Sequence, residues 1–182
     1  MIVRPYSPAD ASAILDIYRP YIEDGPVTFE TEVPSLADFT KRLNTIAEQY
    51  PFMVLDEGGK VLGYVYACKY RERAAYRWHV ETSIYMSAEG KGQGLGKKLY
   101  LTLLDELTKR RFTRAFAIVG VPNTASEQLH LSCGFKPLVL HEKAGWKQGG
   151  WRDVLWLIHN LYPETNPPEE PLFGPWNGLE NW

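Results

Sequence analysis

The sequence is poor in cysteine, in unbalanced charge and in long apolar runs, and each shortage argues against a class of protein. Only two cysteines occur, Cys68 and Cys133, so a disulfide framework is not expected and both are predicted to be small core residues. No Cys/His spacing resembles a zinc site, and no metal is predicted. The 22 acidic residues nearly balance the 20 basic ones, which leaves no general positive field for nucleic acid or an anionic membrane. No apolar segment has the length of a signal peptide or membrane span, so we expect a cytoplasmic protein.

Two familiar phosphate-binding motifs are also missing, although residues 90–96, GKGQGLG, are rich in glycine. A P-loop would need glycine and Ser or Thr at the positions of Lys91 and Lys98. A dinucleotide fingerprint would need its third glycine where Leu95 or Lys97 stands. The absence of both motifs argues against a nucleotide hydrolase and a dehydrogenase.

The glycine stretch nevertheless follows a predicted strand and opens a predicted helix. Successive bare N–H groups at a helix N-terminus bind a pyrophosphate through backbone donors and the helix dipole. The alternative is a tight turn in which one or two glycines need a positive φ. Four glycines in seven residues exceed what a turn needs, so we favour anion binding.

The order of predicted elements indicates one α/β domain with a mixed, mainly antiparallel sheet flanked by helices. Ser7 begins a helix that Pro20 is expected to bend or end, and Ser35 begins a second helix that ends near Glu48. Gly58–Gly59 joins a hairpin. Further strands are predicted within residues 77–86, 114–120, 135–145 and 151–161, and helices within 94–109 and 123–133. The domain is predicted to cover residues 1–162, and the Pro-rich tail 163–182 to pack on the domain or on a dimer partner.

Several longer segments make the sequence recognisable. KGQGLG resembles the Q/R-x-x-G-x-G/A signature of GNAT-type N-acetyltransferases, with Lys91 in place of the usual Gln or Arg. VTFETEVPS, AYRWHVETSIY, GVPNTASEQLHLSCGF and AGWKQGGWRDV, in this order, resemble the phosphinothricin N-acetyltransferase branch and its methionine sulfone and sulfoximine acetylating relatives. The resemblance implies the GNAT fold and acetyl-CoA as co-substrate. It also implies cofactor contacts from Ile84, Tyr85, Met86, Lys91, Gly92, Gln93, Gly94, Leu95, Gly96, Lys97, Asn123 and Ser126. For Asn123, a helix N-cap is a compatible second role.

Two ionisable residues are candidates for the proton transfers of amide formation. Glu81 lies mid-strand before an apolar run, where burial would raise its pKa and make it a general base near neutral pH. The alternative is an outward-facing residue or an ion pair with Arg77. His130 stands where many GNAT enzymes have a tyrosine that protonates the leaving thiolate. A structural histidine is equally consistent with the pattern. Direct transfer without an acyl-enzyme is expected, since Cys133 has no obvious base beside it.

An acceptor site is indicated by the arginine-rich segment KYRERAAYRW, which leads directly into the strand of Glu81. Arginine suits bidentate binding of a carboxylate or phosphinate, although a solvated loop is the alternative. Phe29 would wall this pocket or belong to the core. The predicted acceptor-binding residues are Phe29, Arg71, Arg73, Tyr76, Glu81, Thr82 and Ser83.

Together these features predict an enzyme that transfers acetyl from acetyl-CoA to the α-amine of a small anionic amino acid or analogue. A protein N-terminal or polyamine acetyltransferase is an alternative that the arginine cluster disfavours. A non-catalytic acyl-CoA sensor is a second alternative, disfavoured by the presence of both Glu81 and His130. A homodimer is expected from the aromatic C-terminal strand and tail.

Overall fold

The computed structural model describes residues 1–182, and it contains one eight-stranded sheet with two helices on each face. The sheet order is β6-β7-β5-β4-β3-β2-β1-β8. Every neighbouring pair is antiparallel except β4 and β5, which are parallel. The strands are β1 Ile2–Pro5, β2 Phe52–Glu57, β3 Lys60–Lys69, β4 His79–Met86, β5 Arg114–Val121, β6 Lys136–Lys147, β7 Gly150–Asn160 and β8 Glu180–Asn181. The helices are α1 Ala11–Glu23, α2 Leu36–Gln49, α3 Leu95–Lys109 and α4 Thr124–Ser132, with short 3₁₀ turns at Pro8–Asp10 and Ala74–Tyr76. The predicted fold class is confirmed.

Local signals explain where the first two helices begin. Ser7 and Asp10 form a capping box before α1, because the Ser7 N–H donates to Asp10 Oδ2 at 2.8 Å while Ser7 Oγ accepts from the Ala9 N–H. Ser35 accepts from the Asp38 N–H at the start of α2. Pro20 does not end α1, because the helix continues past this residue and ends at Glu23. Pro20 lies in the last turn, where few residues follow it.

Two apolar layers cover the two faces of the sheet. One layer packs α3 against β2–β5 and β7, with Leu99, Leu103 and Leu107 fully buried. The other packs α1 and α2 against β2 and β3. Because side chains alternate across a strand, Thr82, Ile84 and Met86 face α3 whereas Glu81 and Ser83 face the side of α1 and α2.

The tail carries one element that the sequence pattern does not predict, the two-residue strand β8 beside β1. Trp176 is buried in the layer under α3, and the Leu172 N–H donates to the Arg110 carbonyl. The Lys98 ammonium lies over the ring of Trp182. The tail therefore crosses the C-terminal end of α3 and returns to the N-terminus of the chain.

Candidate active site

The central feature of the site is a fork between β4 and β5. The two strands pair only from His79 to Glu81, which lie opposite residues 114–116. Beyond this point β4 stays paired with β3 as far as Met86, and β5 stays paired with β7 as far as Val121. The two strands therefore separate, and the β4 edge that faces β5 is left without a neighbouring strand.

The backbone groups on this open edge follow from the strand pattern. The Ser87 N–H donates to the Leu62 carbonyl, so Ser87 faces β3. N–H and C=O groups alternate between the two edges, which turns those of Met86 and Ile84 into the fork. The Tyr21 hydroxyl donates to the Met86 carbonyl at 2.8 Å and accepts from the Met86 N–H at 3.4 Å. Ile84 thus offers the free edge to which an extended amide chain could add.

A cleft of about 540 Å³ occupies the fork and the space beside the glycine stretch. Its size falls in the range of about 300–1,000 Å³ that small-ligand sites have. Of the predicted cofactor residues, this cleft brings together Ile84, Tyr85, Met86, Lys91, Gly92, Gly96, Asn123 and Ser126. Asn123 also caps α4 by accepting from the Ser126 N–H, as predicted for its second role.

The structure separates the roles of the glycines. Gly92 and Gly94 have φ values of 78° and 73°, which a turn requires. A Cβ at Gly90 would lie 2.7 Å from the Leu62 carbonyl oxygen, so close packing accounts for this glycine. Gly96 has neither constraint, because the nearest atom to its Cβ would be Met86 Cγ at an ordinary 3.5 Å. A turn therefore explains two of the glycines but not Gly96, which lines the cleft at the N-terminus of α3.

Four predicted cofactor residues of the glycine stretch do not line the cleft: Gln93, Gly94, Leu95 and Lys97. Gln93 donates from Nε2 to the Glu89 carbonyl at 2.8 Å and closes the loop. Leu95 is buried in the layer under α3, and Lys97 lies near Cys133. Gly94 is the N-cap of α3, where its carbonyl accepts from the Lys98 N–H. The N–H groups of the first helical turn that follow Gly94 lack intrahelical acceptors, as at any helix N-terminus.

His130 lies in a small pocket of about 50 Å³ that shares Ile84, Asn123 and Ser126 with the larger cleft. Its side chain is buried, and Nδ1 donates to the Ser126 carbonyl at 2.7 Å. Burial lowers the pKa of His130, although the hydrogen bond to Ser126 opposes this shift. The ring is therefore neutral near pH 7, with its proton on Nδ1 and an acceptor lone pair on Nε2.

Thr82, a predicted acceptor residue, lines the small pocket, but its hydroxyl is engaged within the protein. Its hydroxyl is buried on the α3 face, where it donates to the Phe116 carbonyl at 3.1 Å and bonds the Tyr100 hydroxyl at 2.7 Å. Thr82 therefore ties β4 to β5 where the fork begins. Ser83 faces the opposite side and lines the small pocket.

Glu81 lies at the start of the fork, between Cys68 on β3 and Phe116 on β5. Its carboxylate is partly buried and has no hydrogen-bond partner among the described side chains. Burial raises the pKa of Glu81, while the positive charge of Arg71 opposes this shift. The alternative of an ion pair with Arg77 does not hold, because Arg77 pairs with Glu170 in the tail at 3.3 Å.

The arginine-rich segment approaches the Glu81 side of the sheet through Arg71. The Arg71 guanidinium stacks on the rings of Tyr70 and Trp156, 4.4 and 5.0 Å from their centroids. Arg73 caps the 3₁₀ turn Ala74–Tyr76 with its backbone and forms no ion pair. Tyr76 is exposed and contacts Tyr70 edge-on. Arg73 and Tyr76 line neither pocket.

Phe29 is 41% exposed, so the core alternative does not describe it. Its ring lies over the backbone of Gly145 in β6. It also lines neither of the two pockets.

Sequence reasoning misses one whole wall of the cleft. Tyr21, Asp24, Gly25 and Val27 line it from the end of α1 and the segment that follows. No motif marks Tyr21, Asp24 and Gly25 in the sequence, and Val27 opens the VTFETEVPS segment without having been assigned a role. Their placement depends on how α1 crosses the end of β4, which only the tertiary structure shows.

No group of three or more His, Cys, Asp or Glu side chains is arranged to hold a metal ion. None of the helices combines the length and apolarity that crossing a membrane demands.

Most of the chain matches a known family. Residues 3–156 match the model of the acetyltransferase (GNAT) domain, and the chain belongs to this family of acetyltransferases. Within it, the chain is 36% identical over 171 residues to the phosphinothricin N-acetyltransferase of Streptomyces viridochromogenes, covering 93% of both chains. It is 31% identical over 173 residues to the L-methionine sulfoximine/L-methionine sulfone acetyltransferase of Salmonella typhimurium, covering 92% of this chain and 98% of that one.

A solved structure agrees with this placement. The crystal structure of a GNAT superfamily phosphinothricin acetyltransferase from Sinorhizobium meliloti, in complex with acetyl-CoA, superimposes with a TM-score of 0.84 at 37% identity. The match covers 93% of this chain and 92% of that one. The resemblance and the GNAT fold predicted from the sequence are confirmed.

Proposed function

We propose that this protein transfers the acetyl group of acetyl-CoA to the α-amine of a small anionic amino acid or analogue. The observation that carries the proposal is the fork, which begins after the Glu81–Phe116 pair and opens into a cleft at the N-terminus of α3. The partly buried Glu81 side chain lies at the start of the fork and lines neither pocket. Such a cleft can hold a long ligand so that one end reaches a base. The relatives that acetylate phosphinothricin and methionine sulfoximine or sulfone support the acceptor class.

Acetyl-CoA fits the cleft by the chemistry of its parts. Its pyrophosphate is met by the free N–H groups at the start of α3, beside Gly96 and the ammonium of Lys91. Its pantetheine amides pair with the open backbone of Ile84, as a peptide strand would. Asn123 and Ser126 face the same part of the cleft from α4. The thioester is then directed toward the start of the fork, where Glu81 lies.

The chemistry follows as a direct transfer. The acceptor reaches the site as an ammonium, and Glu81 removes its proton directly or through a water molecule. The amine attacks the thioester carbonyl, and the Ile84 N–H stabilises the oxyanion that forms. The intermediate loses the second proton from its nitrogen and collapses to the amide and the CoA thiolate, with that proton available to convert the thiolate to the thiol. Glu81 suits this role because burial raises its pKa toward the working pH.

His130 is a buried, neutral histidine beside the cleft and not the resting proton donor to the leaving thiolate. Its single proton is held on Nδ1 by the Ser126 carbonyl, and burial lowers its pKa. A donor role at Nε2 would require the doubly protonated ring, which this surrounding disfavours. Protonation of the thiolate is then left to solvent or to the acceptor's own released proton.

The anionic end of the acceptor is bound by the arginines that precede β4. Arg71 lies near Glu81, and Arg73 has no ion-pair partner to compete with a ligand carboxylate. This concentration of positive charge disfavours a polyamine acceptor. The Thr82 hydroxyl is committed within the protein and is not assigned to the acceptor.

A homodimer through the β6–β7 edge completes the proposal. β6 is the edge strand of the sheet, and Leu138, Leu140, Trp146 and Trp151 on this hairpin are about half exposed or more. Apolar side chains in such numbers on one free edge are typical of an interface. Light scattering during gel filtration tests this part, and a monomer at micromolar concentration would contradict it.

A turnover screen tests the function as a whole. The purified protein is incubated with acetyl-CoA and release of the CoA thiol is followed across amino acids and their sulfone, sulfoximine and phosphinate analogues. We expect the highest kcat/KM for anionic or strongly polar analogues, and little turnover of polyamines or peptide N-termini. Binding of acetyl-CoA without turnover of any acceptor would instead favour a sensor.

A further inference from the structure

Residues 24–30, between α1 and α2, form a wall that runs from the cleft to the face of the sheet on which Glu81 lies. We call these residues the wall segment. Asp24, Gly25 and Val27 line the cleft. Phe29 follows Thr28, whose hydroxyl bonds Tyr18, and Tyr18 packs on Tyr85, which shares a face of β4 with Glu81. The Phe29 ring is partly exposed. The wall segment has no regular secondary structure of its own, so its position depends on what it is packed against.

Two glycines allow this segment to approach the sheet closely. A Cβ at Gly120 in β5 would lie 2.6 Å from the Pro26 carbonyl oxygen. A Cβ at Gly145 in β6 would lie 2.4 Å from the ring of Phe29. Neither glycine has a positive φ, so backbone conformation does not require glycine here. What requires it is the space that the wall segment occupies.

Two side chains from the end of the β6–β7 hairpin then hold the segment in place. Lys147 Nζ donates to the Thr28 carbonyl at 2.8 Å, and Gln148 Nε2 donates to the Glu23 carbonyl at 2.9 Å. Lys147 is only 4% exposed, which is unusual for an ammonium group, since its burial is costly. From the other side the Tyr18 hydroxyl bonds Thr28 Oγ1 at 2.8 Å. Thr28 is therefore fixed through both its backbone and its side chain.

We propose that Gly145 and Lys147 are positioning residues that hold Phe29 where it closes the acceptor site. Lys147 fixes the backbone one residue before Phe29, and Gly145 provides the flat surface on which the ring lies. Neither residue contacts the reacting atoms. The proposal rests on the proposed function for the identity of the acceptor, while the contacts themselves can be tested without turnover.

Gly145→Ala and Lys147→Met test the proposal, with Gly150→Ala as the matched control in the same hairpin. A Cβ at Gly150 would meet nothing closer than 3.6 Å, and its φ is not positive. In the two test variants we expect acceptor KM to rise by about tenfold or more, with kcat and the acetyl-CoA Kd within about threefold of wild type. Acetyl-CoA binding should be preserved in both variants, because Gln148 still holds the Glu23 carbonyl at the start of the wall segment. The control should match wild type in all three quantities.

A double-mutant cycle separates a specific effect on Phe29 from general damage. Phe29→Ala alone should raise acceptor KM, and adding Gly145→Ala to it should change little, because the ring that the new methyl group meets is gone. Additive effects of the two substitutions, or equal losses for acceptor and acetyl-CoA, would overturn the proposal.

Amide hydrogen exchange gives a readout that does not depend on activity. Lys147→Met should accelerate exchange in residues 28–30 and leave β4 unchanged, whereas Gly150→Ala should do neither. Unaltered exchange in Lys147→Met would refute the positioning role even if kinetics changed. A wild-type protein that acetylates no acceptor would refute the proposed function, while the exchange result would still decide whether Lys147 holds the wall segment.

Discussion

Replacing Glu81 by glutamine is the sharpest test of the proposed chemistry, because it removes basicity and keeps the shape of the side chain. A positioned general base contributes about 10²–10⁴-fold to rate, or about 2.7–5.4 kcal/mol of transition-state stabilisation at 1.36 kcal/mol per factor of ten. We expect kcat to fall within this range. The acetyl-CoA Kd should hardly change, because the cofactor contacts are assigned to the backbone of Ile84 and to the start of α3.

The pH dependence of this variant has a definite sign. In the wild type, activity should rise with pH through the raised pKa of Glu81, as the carboxylate becomes free to accept a proton. The variant should lose that limb, and its deficit should shrink at high pH, where more acceptor arrives already deprotonated. Thiol release measured between pH 5 and 9 with saturating acetyl-CoA gives both profiles.

Stability provides an independent check on Glu81. A carboxyl group whose pKa is raised by folding stabilises the protein below its unfolded pKa of 4.5, and this contribution is lost as the pH rises through the folded value. At neutral pH the buried carboxylate has no hydrogen-bond partner to offset its desolvation, so Glu81→Gln should keep or raise the melting temperature. Glu72→Gln, a change at an exposed site, serves as the control. Wild-type turnover at pH 7 in a folded Glu81→Gln variant would remove Glu81 from the mechanism.

Three further substitutions test other parts of the structure. Gly96→Val should abolish acetyl-CoA binding in calorimetry, because the valine side chain would cover the N–H groups at the start of α3. The protein should stay folded, because a Cβ at this position has ordinary space. Unchanged acetyl-CoA affinity would contradict the anion site. Arg73→Ala should raise KM for an anionic acceptor about 10- to 100-fold and leave acetyl-CoA affinity intact, and an equal loss for cationic acceptors would mean that the segment is structural. Asp56→Asn should cost about 1.5–3 kcal/mol of unfolding free energy at pH 7. Burial would raise the pKa of Asp56, but the Gly59 N–H and the Arg4 guanidinium hold it below 3.8. The stabilisation by Asp56 is therefore present above pH 3.8 and is lost as the pH falls through the lowered pKa. In a plot of melting temperature against pH, the Asp56→Asn variant should lack this acid-side decrease.

The sequence predicts most of the framework because its signals are local. The capping box at Ser7 and the Gly58–Gly59 turn each depend on a few adjacent residues, and the structure contains both. Strand β8 escapes prediction because its two residues are ordered only by pairing with β1, far away in the sequence. The effect of Pro20 could not be predicted either, because it depends on where α1 ends. A proline in the last turn of a helix disrupts fewer hydrogen bonds than a proline in the middle.

The two halves of the candidate site differ in the same way. Part of the cofactor cleft is built from neighbouring residues at the end of β4 and the start of α3, where the glycine stretch, including Gly96, is visible in the sequence. Its other walls come from α1, residues 24–27 and α4, which are distant in the sequence. The acceptor half is assembled from α1, the wall segment, β4 and the β6–β7 hairpin, which only the sheet order brings together. Lys147 illustrates the difference, because its sequence neighbours Lys143, Gln148 and Gly149 suggest an exposed turn, yet its ammonium is buried against Thr28.

This difference bears on where acceptor specificity is set. If the glycine stretch of the cofactor half is fixed as a short local motif, members of the family can keep it unchanged while the acceptor half varies through elements that are distant in sequence. Binding energy for the acceptor then comes from how rigidly Phe29 and the arginines are held, because ordering a mobile wall on binding would subtract from affinity. Contacts such as that of Lys147 with the Thr28 carbonyl would therefore influence substrate preference without touching the substrate. In Gly145→Ala and Lys147→Met, the kcat/KM values of different acceptors should therefore become more alike, because the preferred acceptor loses more kcat/KM than the poor ones. A uniform loss of kcat/KM across all acceptors would contradict this reasoning.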